Sequence, residues 1–222
     1  MKKIIGSVAI SCVLFVGLFL FFEADLVGAA NQTASTTPTS TLNFNVTLTV
    51  GSEISLICPS TGDVALAGIS GLSGGASSVT AACGVNTNNA LGYNLTIKAT
   101  STPAMMHSGG VYAIPDYTET TPEYNWALDA VTTSTFGYAV SSTDVVTAFK
   151  NNGSACGGAG TLSDFGHCFR SLTTSPVSVA TRAIATPSTV TTTVNFKVEV
   201  GNQSNQPTGN YTSTIVVTAN TL

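Results

Sequence analysis

Charge is scarce in these 222 residues. Eleven carboxylates and seven Lys or Arg make up only 8% of the chain, about a third of the usual share in soluble proteins. The polar surface must therefore come from Ser, Thr, Asn and Gly. The strong helix formers Lys, Glu, Gln and Arg are correspondingly few, while Thr and Val favour pleated, half-buried chain, so the balance points to an all-β protein. With a net charge of -4 and no basic run beyond the N-terminus, a nucleic-acid partner is excluded.

Catalytic equipment is equally thin. There are two histidines, His107 and His167. No Gly-x-Ser-x-Gly elbow sits between a strand and a helix, and no C-x-x-C pair and no D-x-D-x-D-G calcium loop occurs. The carboxylates Asp116, Glu119, Glu123 and Asp129 lie in polar stretches where such groups face solvent, and His167 beside Cys168 reads as a loop histidine next to a disulfide. The expectation is a chain with no catalytic set, no cofactor and no metal.

What is present begins with Met1-Lys2-Lys3, followed by an apolar run from Ile4 to Phe22 and small residues from Val27 to Ala30. Residues 1–30 have the organisation of a signal peptide cut after Ala29 or Ala30. The run is long enough that 4–22 could instead remain as a membrane anchor, the only membrane contact expected. Either way Lys2 and Lys3 stay inside and the remainder lies outside the cytoplasm, secreted or at the cell surface. Four cysteines remain there, Cys58, Cys83, Cys156 and Cys168. An even number in an exported chain reads as two disulfides with three possible connectivities, and proximity favours Cys58–Cys83 and Cys156–Cys168.

Residues 31–41, NQTASTTPTST, form a Thr/Ser linker. A domain over 42–222 follows, built on alternation. LNFNVTLTV (42–50) alternates throughout, as do YNLTIKAT (93–100), VNFKVEV (194–200) and YTSTIVVTA (211–219). ISLIC (54–58), VALAGI (64–69) and SSVTAAC (77–83) are shorter candidates. The turn-rich GNQSNQPTGN predicts that 194–200 and 211–219 pair as a hairpin, and NWALDAV (125–131) with FGYAVSS (136–142) forms a second. Short strands between turn signals predict an antiparallel β-sandwich with two irregular regions, 105–126 and 150–170. Tyr112, Tyr117, Tyr124 and Trp126 in the first region are candidate contacts for a sugar, although Tyr124 and Trp126 could instead fill the core at the start of a strand, which is the first reading for Trp126.

An early strand ending in Cys58, a Gly/Ser-rich stretch, Cys83, YNLTIKAT and the closing PTGNYTSTIVVTA together resemble the spore coat protein U and fimbrial-subunit group of secreted bacterial β-sandwiches. The resemblance implies an Ig-like, pilin-like fold and assembly on the cell surface. It also implies a second use for LNFNVTLTV, since an N-terminal strand in such subunits can complete the sheet of the next one. Only three residues separate it from ISLIC, and pairing within its own sheet is the first expectation. The sequence thus reads as an exported, non-catalytic coat or filament component whose partners are copies of itself or other surface proteins. The alternatives are a module binding glycans or proteins through 105–126, and a secreted hydrolase with a cleft between the irregular regions.

Overall fold

The computed structural model describes residues 45–58 and 64–222. The expected signal or anchor, the linker and Leu42–Phe44 lie outside the described residues. Eleven strands and one short 3-10 turn, Thr147–Phe149, make up the regular structure. The protein is all-β, and every strand pair is antiparallel. No helix among the described residues is long and apolar enough to cross a membrane.

The largest sheet has five strands. Its centre is β9 (Val190–Val200), flanked by β2 (Gly75–Thr87) and β6 (Ser134–Ser142); β1 (Ile54–Ile57) lies outside β2, and β7 (Arg170–Ser171) outside β6. Alternation explains why β9 sits in the middle. Val194, Phe196, Val198 and Val200 form one buried row, and the register sets Val79 and Tyr138 on either side of Phe196. Two three-stranded sheets form the facing layer. One has β3 (Tyr93–Ala99) between β8 (Val177–Arg182) and β11 (Ile215–Thr221). The other has β4 (Met105–His107) between β5 (Ala113–Ile114) and β10 (Tyr211–Thr212). Tyr93, Leu95, Ile97 and Ala99 of β3 point into the same core as the β9 row. The layers are therefore held sandwich-fashion by one apolar cluster, each large side chain worth roughly 1.5–3 kcal/mol on burial.

Both predicted disulfides are present, Cys58–Cys83 and Cys156–Cys168. The first ties the end of β1 to β2. The second closes a loop twelve residues along the chain.

Several strand expectations need correction. The predicted hairpin between 194–200 and 211–219 does not form, because β2 and β6 already occupy both edges of β9. The 201–210 loop instead carries the chain across to the facing layer. There 211–219 is interrupted at Ser213–Thr214, so that β10 pairs with β4 and β11 with β3. Residues 125–131 form no strand, while their proposed partner is β6. VALAGI (64–69) is extended without a ladder; Leu66 and Ile69 are the half-buried positions, a spacing of three rather than two. Of the opening alternation, the described residues 45–50 do not form the expected strand. Residues 45–50 carry no secondary structure, and Val46 and Leu48 are each 84% exposed. An alternating apolar row fits a pleated sheet but cannot supply the neighbouring strand.

The outer face of the five-stranded sheet is covered as well. Gly137 and Ala139 of β6 point outward, where Tyr117, Phe169 and Trp126 pack as a small second cluster. A Cβ on Gly137 would lie 2.8 Å from the Arg170 carbonyl oxygen and 2.9 Å from Tyr117 Cβ. The expected outcome for Gly137→Val is therefore a loss of about 1–3 kcal/mol in denaturant unfolding. Gly51→Ala, where an added Cβ meets nothing within 4 Å, should stay within about 0.5 kcal/mol of the parent.

Candidate functional site

An apolar groove of about 1100 Å³ opens among the described residues. Its floor is the inner row of the large sheet, Val79, Phe136, Phe196, Val198 and Val200, with Met105 and Ile114 at one end. One wall is the segment Val64–Leu72; the other is the loop 205–210 and the chain from Tyr211 to Ile215. The groove exists because the facing layer is incomplete at this point. β10 and β11 are consecutive in the chain and each is the edge strand of its own sheet. Among the described residues no strand hydrogen-bonds to the second side of either; β1 packs beside β11, so the edge that opens on the groove is the stretch from Tyr211 to Ile215, where Val79 and Ile215 stay only half-buried.

The far wall is rigidly bracketed. Gln206 donates through Nε2 to Tyr211 Oη (2.8 Å) and the Ala113 carbonyl (3.3 Å), and accepts from Ser134 Oγ (3.0 Å) through Oε1. Tyr211 Oη in turn donates to the Pro207 carbonyl at 2.8 Å. His107 supports the loop from below. The Gly109 N–H donates to His107 Nδ1 at 2.9 Å, so that nitrogen is unprotonated and Nε2–H faces the Thr208 carbonyl at 3.3 Å. Gly209, with a φ of 143°, is packed so closely on this ring that a Cβ there would collide with Nε2. Asn and Gly at the loop's left-handed and strained positions are the local reason it can turn this tightly.

Chemically the groove is neutral. Among the described residues no carboxylate, imidazole, amine or thiol lines it; its polar atoms are backbone groups, hydroxyls and the amides of Asn205, Gln206 and Asn210. Such a surface offers apolar area and edge backbone, the two things an added extended strand uses.

The aromatic candidates are dispersed. Tyr117 is buried, stacked on Trp126 with ring centroids 4.6 Å apart, and donates to Glu123 Oε2 at 2.9 Å. Burial, reinforced by that carboxylate, pushes its hydroxyl up to about 12. Trp126 lies half-buried on the outer face rather than in the sandwich core, donating Nε1–H to Glu199 Oε2 at 2.6 Å with Lys197 Nζ 4.9 Å above its ring. Burial against these rings lowers the Lys197 ammonium below its ordinary value. Tyr124 stacks on His167 at 4.2 Å, and only Tyr112 is exposed. None of the four lines the groove. Sequence reasoning therefore missed the groove residues, whose alternation identified them only as core. Among the described residues no three of His, Cys, Asp or Glu come together to hold a metal ion.

The Cys156–Cys168 loop is fastened by Asp164. Burial raises its pKa, but hydrogen bonds from His167 Nδ1 (2.7 Å), Asn151 Nδ2 (2.9 Å) and the Gly166 N–H (2.9 Å) outweigh it and hold the carboxyl below its usual range. A depressed folded-state value means this support is complete above the unfolded value of about 3.9 and is lost as pH falls through the lower folded value. Amide exchange at Gly166 should accelerate across that acid window while β3 amides stay protected. In Asp164→Asn the acid step should vanish; identical pH profiles in the two proteins would contradict the assignment.

The sequence matches no protein-family model, and none of the curated proteins compared with it matches either.

Proposed function

We propose that this chain is a non-catalytic structural subunit of a cell-surface coat or filament, exported to an oxidising compartment. In this reading copies join when residues 42–50 of one chain enter the groove of the next and extend its sheet beside Tyr211–Ile215. The observation that carries the reading is the pairing of two features: an apolar groove bordered by the unpaired edge at Tyr211–Ile215, and an alternating segment whose described residues, 45–50, lie in no strand.

The edge that borders the groove, Tyr211 to Ile215, offers a ladder to part of a nine-residue strand, which extends about 30 Å at roughly 3.3 Å per residue. Leu42, Phe44, Val46, Leu48 and Val50 would face the floor, and the Asn and Thr residues between them would face solvent. Five apolar side chains at roughly 1.5–3 kcal/mol each, with ladder hydrogen bonds at about 0.5–1.5 kcal/mol each, exceed the lower estimates of the association cost. A donor at one site and an acceptor at another make a head-to-tail contact, which propagates as an open filament unless the rotation closes a ring. The two disulfides fit an extracellular setting. The pilin-like architecture and surface location belong to this same proposal.

Negative-stain microscopy tests it. The parent chain should form filaments or sheets, while Val46→Asp/Leu48→Asp should remain monomeric with unchanged thermal unfolding, since both positions are exposed in the single chain. Assembly by the double variant equal to the parent would overturn the reading. Because neither surface carries charge, moving from low to high salt should change the assembly midpoint by less than about threefold.

A further inference from the structure

We infer that the segment Val64–Ile69 is a provisional occupant of the groove, a strap that fills part of it in the single chain and is displaced by the incoming strand. This rests on the strand-donation reading and concerns how that same site is regulated.

Four observations separate a displaceable strap from a fixed wall. First, the strap has no ladder: among the described residues no backbone–backbone hydrogen bond ties 64–69 to a strand, and the Ala67 N–H is taken by a side chain, Ser77 Oγ at 2.9 Å. Second, its apolar contacts recur every third residue. Leu66 and Ile69 are half-buried against the core, whereas Val64 is exposed and Leu72 is 73% exposed. A strand that places every second residue on the floor covers that floor more completely than a segment that places every third. Third, the strap is tethered at both ends. Cys58 is bonded to Cys83 on its N-terminal side. Beyond it, at the rim of the groove, Ser70 and Gly74 form a tight turn in which the Gly74 N–H donates to the Ser70 carbonyl at 3.0 Å, and Ser70 Oγ accepts from the Ser73 N–H at 3.1 Å. A released strap would stay attached as a surface loop, with β2 undisturbed. Fourth, the one backbone bond across the mouth leaves from that turn and not from the strap, the Gln206 N–H donating to the Gly71 carbonyl at 3.0 Å.

The consequence is a chain that shields its own acceptor until a donor arrives. The strap reduces the population of open acceptor, and the apparent affinity for a donor falls by the same factor. Premature capture of unrelated apolar segments is suppressed, and growth is favoured for the segment whose alternation matches the floor.

The test uses the full chain carrying Val46→Asp and Leu48→Asp, which silences its own donor, and a fluorescent synthetic peptide of residues 42–50 as the probe. Peptide binding should raise hydrogen exchange at Ala67 and Gln206 about tenfold or more, with β3 amides unchanged as a control for global folding. Adding Leu66→Ser and Ile69→Ser should raise the peptide association rate about tenfold by leaving the acceptor open. If the peptide binds while Ala67 and Gln206 keep their protection, or if the serine pair slows association, the strap is a wall and this inference is overturned while strand donation stands. If the peptide binds neither acceptor, strand donation itself fails, and the strap's role with it.

Discussion

The structure depends on how the inner row of β9 is covered. Val194, Phe196, Val198 and Val200 belong to one continuous apolar face, flanked on both edges by paired strands. Val194 shares its buried cluster with β3, whose Leu95 and Ile97 are almost fully buried. Phe196, Val198 and Val200 are buried too, but they floor the groove, and their cover there comes from a segment without a ladder, a bracketed loop and the chain from Tyr211 to Ile215. Burial of apolar surface drives the fold without regard to direction, and cover made of loops and a strand edge leaves Val79 and Ile215 only half-buried beside that floor.

The opposite face of the same sheet shows what complete cover looks like. β9 turns Asn195, Lys197 and Glu199 outward, and each is engaged by one of the two irregular regions. Asn195 Nδ2 donates to the Phe165 carbonyl, Lys197 lies over Trp126 and Phe169, and Glu199 accepts from Trp126. Polar residues that would ordinarily face water instead hold two long loops against the sheet, and Gly137 leaves the space that Tyr117 and Trp126 fill. This accounts for β6 being buried on both faces. It also accounts for loops with catalytic-looking composition, rich in carboxylate and aromatic groups, serving as packing.

The parts of the fold legible in the sequence are those where one residue's environment decides the matter. YNLTIKAT is β3 because its two faces differ so sharply that only one register buries Tyr93, Leu95, Ile97 and Ala99. VNFKVEV lies within β9 for the same reason, and the nearest-neighbour disulfides followed from spacing. The failures concern partners. GNQSNQPTGN announces a reversal, but nothing local says that both edges of β9 are already taken, so the hairpin was assigned to the wrong layer. Tyr211, Ser213, Ile215, Val217 and Ala219 would share one face of a single extended strand, yet the chain changes sheets at Ser213–Thr214. VALAGI looks like a strand until its contacts are seen to recur every third residue. Trp126 was placed in the core or on a ligand, and it occupies a third position that only the Gly137 gap makes possible. The groove was invisible for a related reason: its residues read as ordinary core, and what distinguishes them is the opening beside them, which the proposed reading fills with a strand from another chain.

That missing strand can be looked for directly. One chain carrying only Leu48→Cys as its added cysteine, and another carrying only Val79→Cys in the groove floor, would be mixed and oxidised. The account predicts a covalent dimer linking the two different chains, released by reductant. No cross-link between chains, or one that forms only when both cysteines are placed in the same chain, would contradict it.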